Sequence, residues 1–240
     1  LEEGLSMELL QRVVNSMAEA ARAAGVPIVT GDTKVVDRGK GDGIFINTAG
    51  VGLVPNGVRV LPALIQPGDA ILVSGDLGSH GVAVLSVREG LTFDGHVESD
   101  SAPLHRVVAD LIESGIEIHC LRDLTRGGLA SVLNELATAA KVGIRVKESA
   151  IPVSEPVRGA CELLGLDPLY VANEGRFVAM VPASQTEAAL AVMRRHEAAS
   201  QAAHIGTVTD RDPSMVVVET VVGTHRVLDL LSGEQLPRIC

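Results

Sequence analysis

Aromatic residues are scarce in this chain: no Trp, one Tyr and three Phe among 240 residues. Bases of a nucleic acid would find few rings to stack on. Positive charge is also in deficit, with 20 Lys and Arg against 30 Asp and Glu and a formal net charge of -10. That balance argues against nucleic acid or an anionic membrane surface as the main partner. No apolar run reaches the roughly 18 residues that span a bilayer, and no basic-then-apolar leader opens the chain. The expectation is a soluble, cytoplasmic protein. Three cysteines are too few and too scattered for a disulfide framework or a paired-cysteine metal site. Cys120, ending the run IEIHC, and Cys161, within VRGACELLG, read as small buried apolar residues. Cys240 stands apart as the last residue, behind Leu236, Pro237, Arg238 and Ile239.

What is abundant is aliphatic. Hydrophobic residues make up 46% of the chain, almost all of them Val, Leu, Ile and Ala, the usual filling of layered helix-and-sheet folds. The length suits one large domain or two smaller ones. Near the start, Ser6 reads as an N-cap with Glu8 in the first turn. Leu9, Leu10, Val13, Val14, Met17 and Ala21 then recur at helical spacing until Gly25. Strand-like VPIV (26–29) and IFINTAGVGLV (44–54) follow. One helix and two strands cannot close a layer, so residues 1–57 are expected to be the remnant of a larger N-terminal domain.

After the turn signals Pro55-Asn56-Gly57 and Gln66-Pro67-Gly68-Asp69, helices and strands alternate. Strands are expected at AILVSG, IEIHC, RFVAMV, 205–209, 215–222 and 225–230. Helices are expected near 81–89 and 103–114, from Gly127-Gly128 to Ala140 with Gly143 as its stop, and at 155–164 with Gly165 as its stop. A last helix is opened by the capping box Ser184 to Glu187. This pattern predicts an α+β fold with mixed or antiparallel pairing over residues 58–230. The tail, 231–240, reads as irregular.

Four polar constellations interrupt the apolar background. Gly31-Asp32-Thr33-Lys34 follows VPIV: a carboxylate suited to Mg²⁺, a hydroxyl, and an amine that neutralises phosphate or, desolvated, acts as a base. It is not a Walker A loop, which needs GxxxxGK[ST] opening a helix, and a plain polar turn is the alternative. Ser74 to Gly81, with three glycines, reads either as a presenter of backbone N–H groups to an anion or as a tight strand-to-helix turn. In Arg122-Asp123-Leu124-Thr125-Arg126-Gly127-Gly128, Asp123 and Thr125 are positioned to cap the next helix, and the two arginines either reinforce an anion site or are simply solvated at the surface. Asn173-Glu174-Gly175 is either a hairpin-compatible turn or a carboxylate fixed at a strand end.

Taken in order, GDTKVV, GD-x-ILVSG-x-x-G-x-HG, RD-x-TRGG, ANEG and the terminal PRIC resemble the HypE family, the carbamoyl dehydratases of [NiFe]-hydrogenase maturation. That family lies within the PurM-like superfamily of ATP-dependent enzymes, related to aminoimidazole ribonucleotide synthetase. The resemblance runs over the whole chain. RDLTRGG and NEG occur in outline across the superfamily and bear on fold and ATP use only, whereas a terminal thiol has a purpose in this family alone.

The resemblance implies a PurM-like C-terminal α/β-layer domain preceded by the end of a ferredoxin-like, barrel-forming N-terminal domain. It implies a reaction as well: HypF loads a carbamoyl group onto the Cys240 thiol, ATP drives its dehydration to a thiocyanate, and the cyano group passes to the HypC–HypD complex. By resemblance, Lys34 and Glu174 position the thiocarboxamide and relay protons, and Asp32 serves Mg²⁺-ATP. Thr33, Asp123 and Asn173 belong to the phosphate and metal surroundings, and His80 stabilises its turn. A thiolate suits the carrier role as a good nucleophile and leaving group. With the body ending near Leu231, the nine residues beyond it reach up to about 30 Å when extended. The family's glycine-rich N-terminal section and acidic metal motifs, which belong to a homodimer, do not occur in this chain. The expectation is therefore that these residues alone bind ATP poorly and are inactive. Two alternatives remain: another PurM-like ATP-dependent synthetase, and a carrier module without catalysis of its own.

Overall fold

The computed structural model describes residues 1–91 and 97–230, and within it the chain forms two units, Leu1–Asn56 and the chain from Gly57 onward. In the first unit, α1 (Met7–Ala24) begins where Ser6 accepts the Leu9 N–H at 3.1 Å. It ends where Gly25 turns left-handed and Val26 N–H returns to the Ala21 carbonyl. The two expected strands that follow do not form. Residues 26–29 and 44–54 carry no ladder, and Val26, Ile28, Val29, Phe45, Ile46, Val51, Leu53 and Val54 are exposed. A strand is defined by a partner that takes up its backbone groups. The apolar runs are real, but none of the described residues pairs with them. The pairing in this unit is a single parallel bridge between Glu2 and Val36. Around it the Glu2 carboxylate accepts the Gly43 and Gly39 N–H groups, which hold its pKa below the usual carboxylate value.

In the second unit one mixed sheet has the order β2-β4-β1-β5-β3-β6-β7. Its strands are β1 (Asp69–Val73), β2 (Cys120–Asp123), β3 (Gly143–Lys147), β4 (Phe177–Pro182), β5 (Ala203–Thr209), β6 (Val216–Glu219) and β7 (His225–Val227). Every pairing is antiparallel except β3 with β6. Among the described residues five helices accompany it: α2 (Ser79–Glu89), α3 (His105–Glu113), α4 (Gly128–Ala140), α5 (Glu155–Leu164) and α6 (Thr186–Met193). The central strands read as unbroken apolar runs because both faces are covered. From β1 and β4, Ile71, Val73, Val178 and Met180 pack with Leu129 and Leu133 of α4. Their alternates Ala70, Leu72, Ala179 and Val181 pack with Val107 and Leu111 of α3 and Leu190 and Met193 of α6. A smaller cluster joins α2 to α5 through Val82, Val157, Ala160, Cys161 and Val171.

Three local expectations change. The IEIHC strand starts only at its last residue and runs on through Arg122 and Asp123. Helix α4 stops because Lys141 adopts the left-handed conformation (φ 56°), and Gly143 then opens β3, a strand not foreseen. The capping box does not close: residues 183–185 form a 3-10 turn, and the Thr186 hydroxyl donates to the Ala183 carbonyl at 2.9 Å.

Candidate functional site

The strand order decides which loops meet. β4 lies between β2 and β1 and runs antiparallel to both, so its first residue stands beside their last ones: Phe177 faces Asp123, and Val178 faces Val73. The loops that leave β1 and β2 and the one that enters β4 therefore gather at one edge of the sheet. Those loops carry three of the four polar constellations.

Asn173, fully buried, fastens them together. Its Oδ1 accepts the Gly78 N–H at 2.8 Å, and its Nδ2 donates to the carbonyls of Leu124 at 2.9 Å and Val171 at 3.1 Å. Arg176 adds an ion pair to Asp76 at 2.6 Å, in addition to donating from Nε to the Asp76 carbonyl at 2.9 Å. Ser74, also fully buried, exchanges hydrogen bonds with the Phe177 backbone at 3.0 Å each way. Gly128 opens α4 at φ 59°, and a Cβ there would sit 2.6 Å from the carbonyl oxygens of Leu169 and Val171. No other residue type fits that approach.

Glu174 follows Asn173 and is half-buried; its backbone N–H donates to Asp100 Oδ1 at 2.8 Å. Among the described residues nothing hydrogen-bonds its carboxylate. The Ser74–Gly81 turn is occupied by protein: Asn173 takes the Gly78 N–H and the Ala172 carbonyl takes that of Gly81. His80 braces it through Nδ1 to Ser99 Oγ at 2.8 Å. Asp123 is half exposed and accepts the Thr125 hydroxyl at 2.6 Å, so neither side chain caps α4. Arg122 is engaged by Glu135 at 3.0 Å and Asp123 at 3.4 Å. In the first unit, Asp32, Thr33 and Lys34 are exposed, and Asp32 Oδ1 accepts the Thr33 N–H at 2.8 Å. Cys240 and the rest of 231–240 lie outside the described residues. The sheet edge thus gathers Asp123, Asn173 and Glu174, while Asp32, Thr33 and Lys34 belong to the other unit.

A second polar cluster, at the opposite end of the same strands, had not been expected. His119, just before β2, hydrogen-bonds through Nδ1 to Asp69 Oδ2 at 2.7 Å, and both side chains are buried. Its Nε2 lies 3.3 Å from both Glu117 Oε1 and Gln66 Nε2. Burial opposes the charged imidazolium, but hydrogen bonding and attraction to Asp69 and Glu117 prevail, and the pKa lies above the ordinary histidine value. The cluster borders a cleft of about 430 Å³ walled by Val58, Val60, Leu64, Ile112 and Ile116. A histidine inside an apolar run, and an acid directly before one, were the available signals. Cys120 and Cys161 are buried as expected, and desolvation pushes both thiols up to about 11. Among the described residues no three His, Cys, Asp or Glu side chains are grouped to hold a metal ion, and no helix is long and apolar enough to cross a membrane.

Residues 1–54 match the N-terminal domain, and residues 66–219 the C-terminal domain, of the AIR synthase related proteins. The whole chain is 57% identical to 70% of the carbamoyl dehydratase HypE of Azotobacter vinelandii. The chain belongs to the HypE family. A crystal structure of HypE in complex with ATP superposes on all of the chain and 73% of that protein, with a TM-score of 0.95 and 51% identity. A HypE–HypF complex matches 96% of the chain and 75% of that HypE, at 0.92 and 46%. The PurM-like α+β fold is therefore shown from both sequence and structure, and the chain is of a family of enzymes, the HypE dehydratases.

Proposed function

We infer that this protein performs the ATP-dependent step that turns a carboxamide on the Cys240 sulfur into a thiocyanate. The observation that carries the reading is identity of 57% over the whole chain with a carbamoyl dehydratase, supported by a HypE relative solved with ATP. The carboxamide oxygen attacks the γ-phosphorus of ATP and releases ADP. Two protons leave the nitrogen, and phosphate departs with the former amide oxygen, leaving the carbon triply bonded to nitrogen.

Glu174 is the group at the sheet edge suited to accept one of those protons: half-buried, held by its backbone, with a carboxylate that none of the described residues engages. Lys34 is assigned to positioning and proton relay from the first unit. Asp32 would supply one carboxylate toward Mg²⁺, and Thr33 a hydroxyl toward phosphate. A lone carboxylate fits that ion, which commonly takes one or two carboxylates and completes its shell with nucleotide phosphates and water. The fully engaged amide of Asn173 makes it the clamp that holds Glu174, and Asp123 orders the neighbouring loop through Thr125. Residues 1–57 are read as part of an ATP-binding domain, 58–230 as the C-terminal domain and 231–240 as the arm bearing the thiol.

In this reading a HypF-type carbamoyltransferase is the loading partner, supported by the HypE–HypF complex of a relative. A HypC–HypD complex as acceptor, a homodimer as the working form and a cytoplasmic setting complete the proposal. Its test is ATP turnover in the presence of HypF and carbamoyl phosphate. Turnover lost in Cys240→Ala supports it. Undiminished turnover in that variant points instead to another PurM-like synthetase.

A further inference from the structure

Asp100 was singled out by no motif, and it is 9% exposed in a segment without regular structure. One carboxylate oxygen, Oδ1, accepts two backbone N–H groups, from Glu174 at 2.8 Å and Gly175 at 3.2 Å. The two segments approach as closely as backbones allow: a Cβ on Gly175 would lie 1.8 Å from the Asp100 carbonyl oxygen. The segment is pinned on its other side, where Ser99 Oγ meets His80 Nδ1 at 2.8 Å and accepts the Ser101 N–H at 3.2 Å. The second oxygen, Oδ2, is buried with no hydrogen-bond partner among the described residues.

That last feature is costly. Burying a polar atom without a partner forfeits its hydration, and the penalty is larger for a charged group than for a neutral one. A neutral acceptor would serve two N–H groups without a negative charge. What the charge adds is strength, since charge-assisted hydrogen bonds are about twice as strong as neutral ones. Native structures tolerate few buried unsatisfied groups, and each calls for a reason. Here the reason is the residue that Asp100 holds.

The geometry points to Asp100 as a positioning residue for Glu174: it fixes the backbone from which the Glu174 carboxylate reaches the reacting amide. The inference rests on the reading of Glu174 given above. Asp100 acts through Glu174 and not on the substrate, so its removal lowers the rate of the chemical step and leaves ATP affinity alone. Misplacing a reacting group by about 1 Å costs on the order of 100-fold.

The test follows conversion of the Cys240-bound carboxamide to its cyano form by mass spectrometry, in the complete protein loaded by HypF and carbamoyl phosphate. Asp100→Ala is expected to slow single-turnover conversion by about 10- to 100-fold, with half-saturating ATP unchanged within about twofold. Asp100→Asn keeps an acceptor for both N–H groups and is expected within about fivefold of wild type. In a Glu174→Gln background Asp100→Ala is expected to add less than about twofold, because the two residues act as one unit. Thermal melting accompanies each variant. If Asp100→Ala fails to fold, Asp100→Ser, which withdraws the acceptor by one bond, takes its place in the cycle. An equal loss in both backgrounds, or no loss, overturns the proposal. Wild-type conversion by Glu174→Gln would overturn the Glu174 reading itself, and an unconverted wild type would overturn the reaction.

Discussion

Replacing Asn173 by aspartate preserves shape and inverts chemistry. The Nδ2 donor that now serves the Leu124 and Val171 carbonyls would become a second oxygen facing them, in a position with no solvent exposure. The buried Val171 carbonyl would lose its donor, at about 1–3 kcal/mol, while the Leu124 carbonyl keeps the Asn173 backbone N–H, and burying a carboxylate against both adds at least as much unless it takes up a proton. Only the Gly78 N–H would keep its acceptor. The sum is about 3–6 kcal/mol, a large share of the roughly 5–15 kcal/mol that holds a domain together. With a urea slope of about 2 kcal/mol/M, the unfolding midpoint should fall by about 1.5–3 M at pH 7. Asn173→Ala should cost somewhat less, since it leaves the Gly78 N–H and the Val171 carbonyl unpaired but buries no charge. Equilibrium urea unfolding followed by far-UV circular dichroism measures all three proteins. An Asn173→Asp midpoint within about 0.3 M of wild type would refute the clamp, because about 0.3 M corresponds to less than one ordinary hydrogen bond.

Two further predictions concern groups whose ionisation is displaced. With Cys120 and Cys161 pushed up to about 11, thiolate at pH 8 is on the order of 0.1% of each. Native alkylation of both should run at least about 100-fold slower than in urea, read by peptide mass spectrometry, and comparable rates would contradict their burial. The His119 pKa is raised in the folded state, so the stability it lends is complete below the unfolded value of about 6.5 and is lost as pH rises through the folded one. The difference in urea midpoint between wild type and His119→Gln should therefore shrink between pH 6 and pH 9. A difference that widens over that range would reverse the assigned sign.

Much of the fold could be read locally. Ser6 and Gly25 delimit α1 by capping chemistry that needs only neighbouring residues. AILV and FVAMV announce central strands because both of their faces are buried. What escaped is what depends on distant residues. The strands expected at 26–29 and 44–54 have the apolar composition but find no partner in their unit. β3 went unread because Gly143 looked like a helix stop, whereas Lys141 takes the left-handed position itself. The motifs around Ser74, Asp123 and Glu174 stood out one by one, but their convergence follows from β4 lying between β2 and β1, a non-local fact. Asn173 was legible as special without its job being so: its amide is consumed by three backbone groups. Asp100 and the Asp69–His119 pair gave almost no signal, since their partners lie 74 and 50 residues away.

Everything proposed for this protein turns on one event, the ATP-driven dehydration of a group carried on the terminal thiol. Mass spectrometry of the C-terminal peptide observes that event itself, after the complete protein is incubated with HypF, carbamoyl phosphate and ATP, with Cys240→Ala as control. The expected result is a carbamoyl adduct on Cys240 that loses one water only when ATP is present, and no adduct in the control. An unmodified Cys240 beside a competent HypF would contradict the proposed reaction, as would an adduct that persists unchanged with ATP.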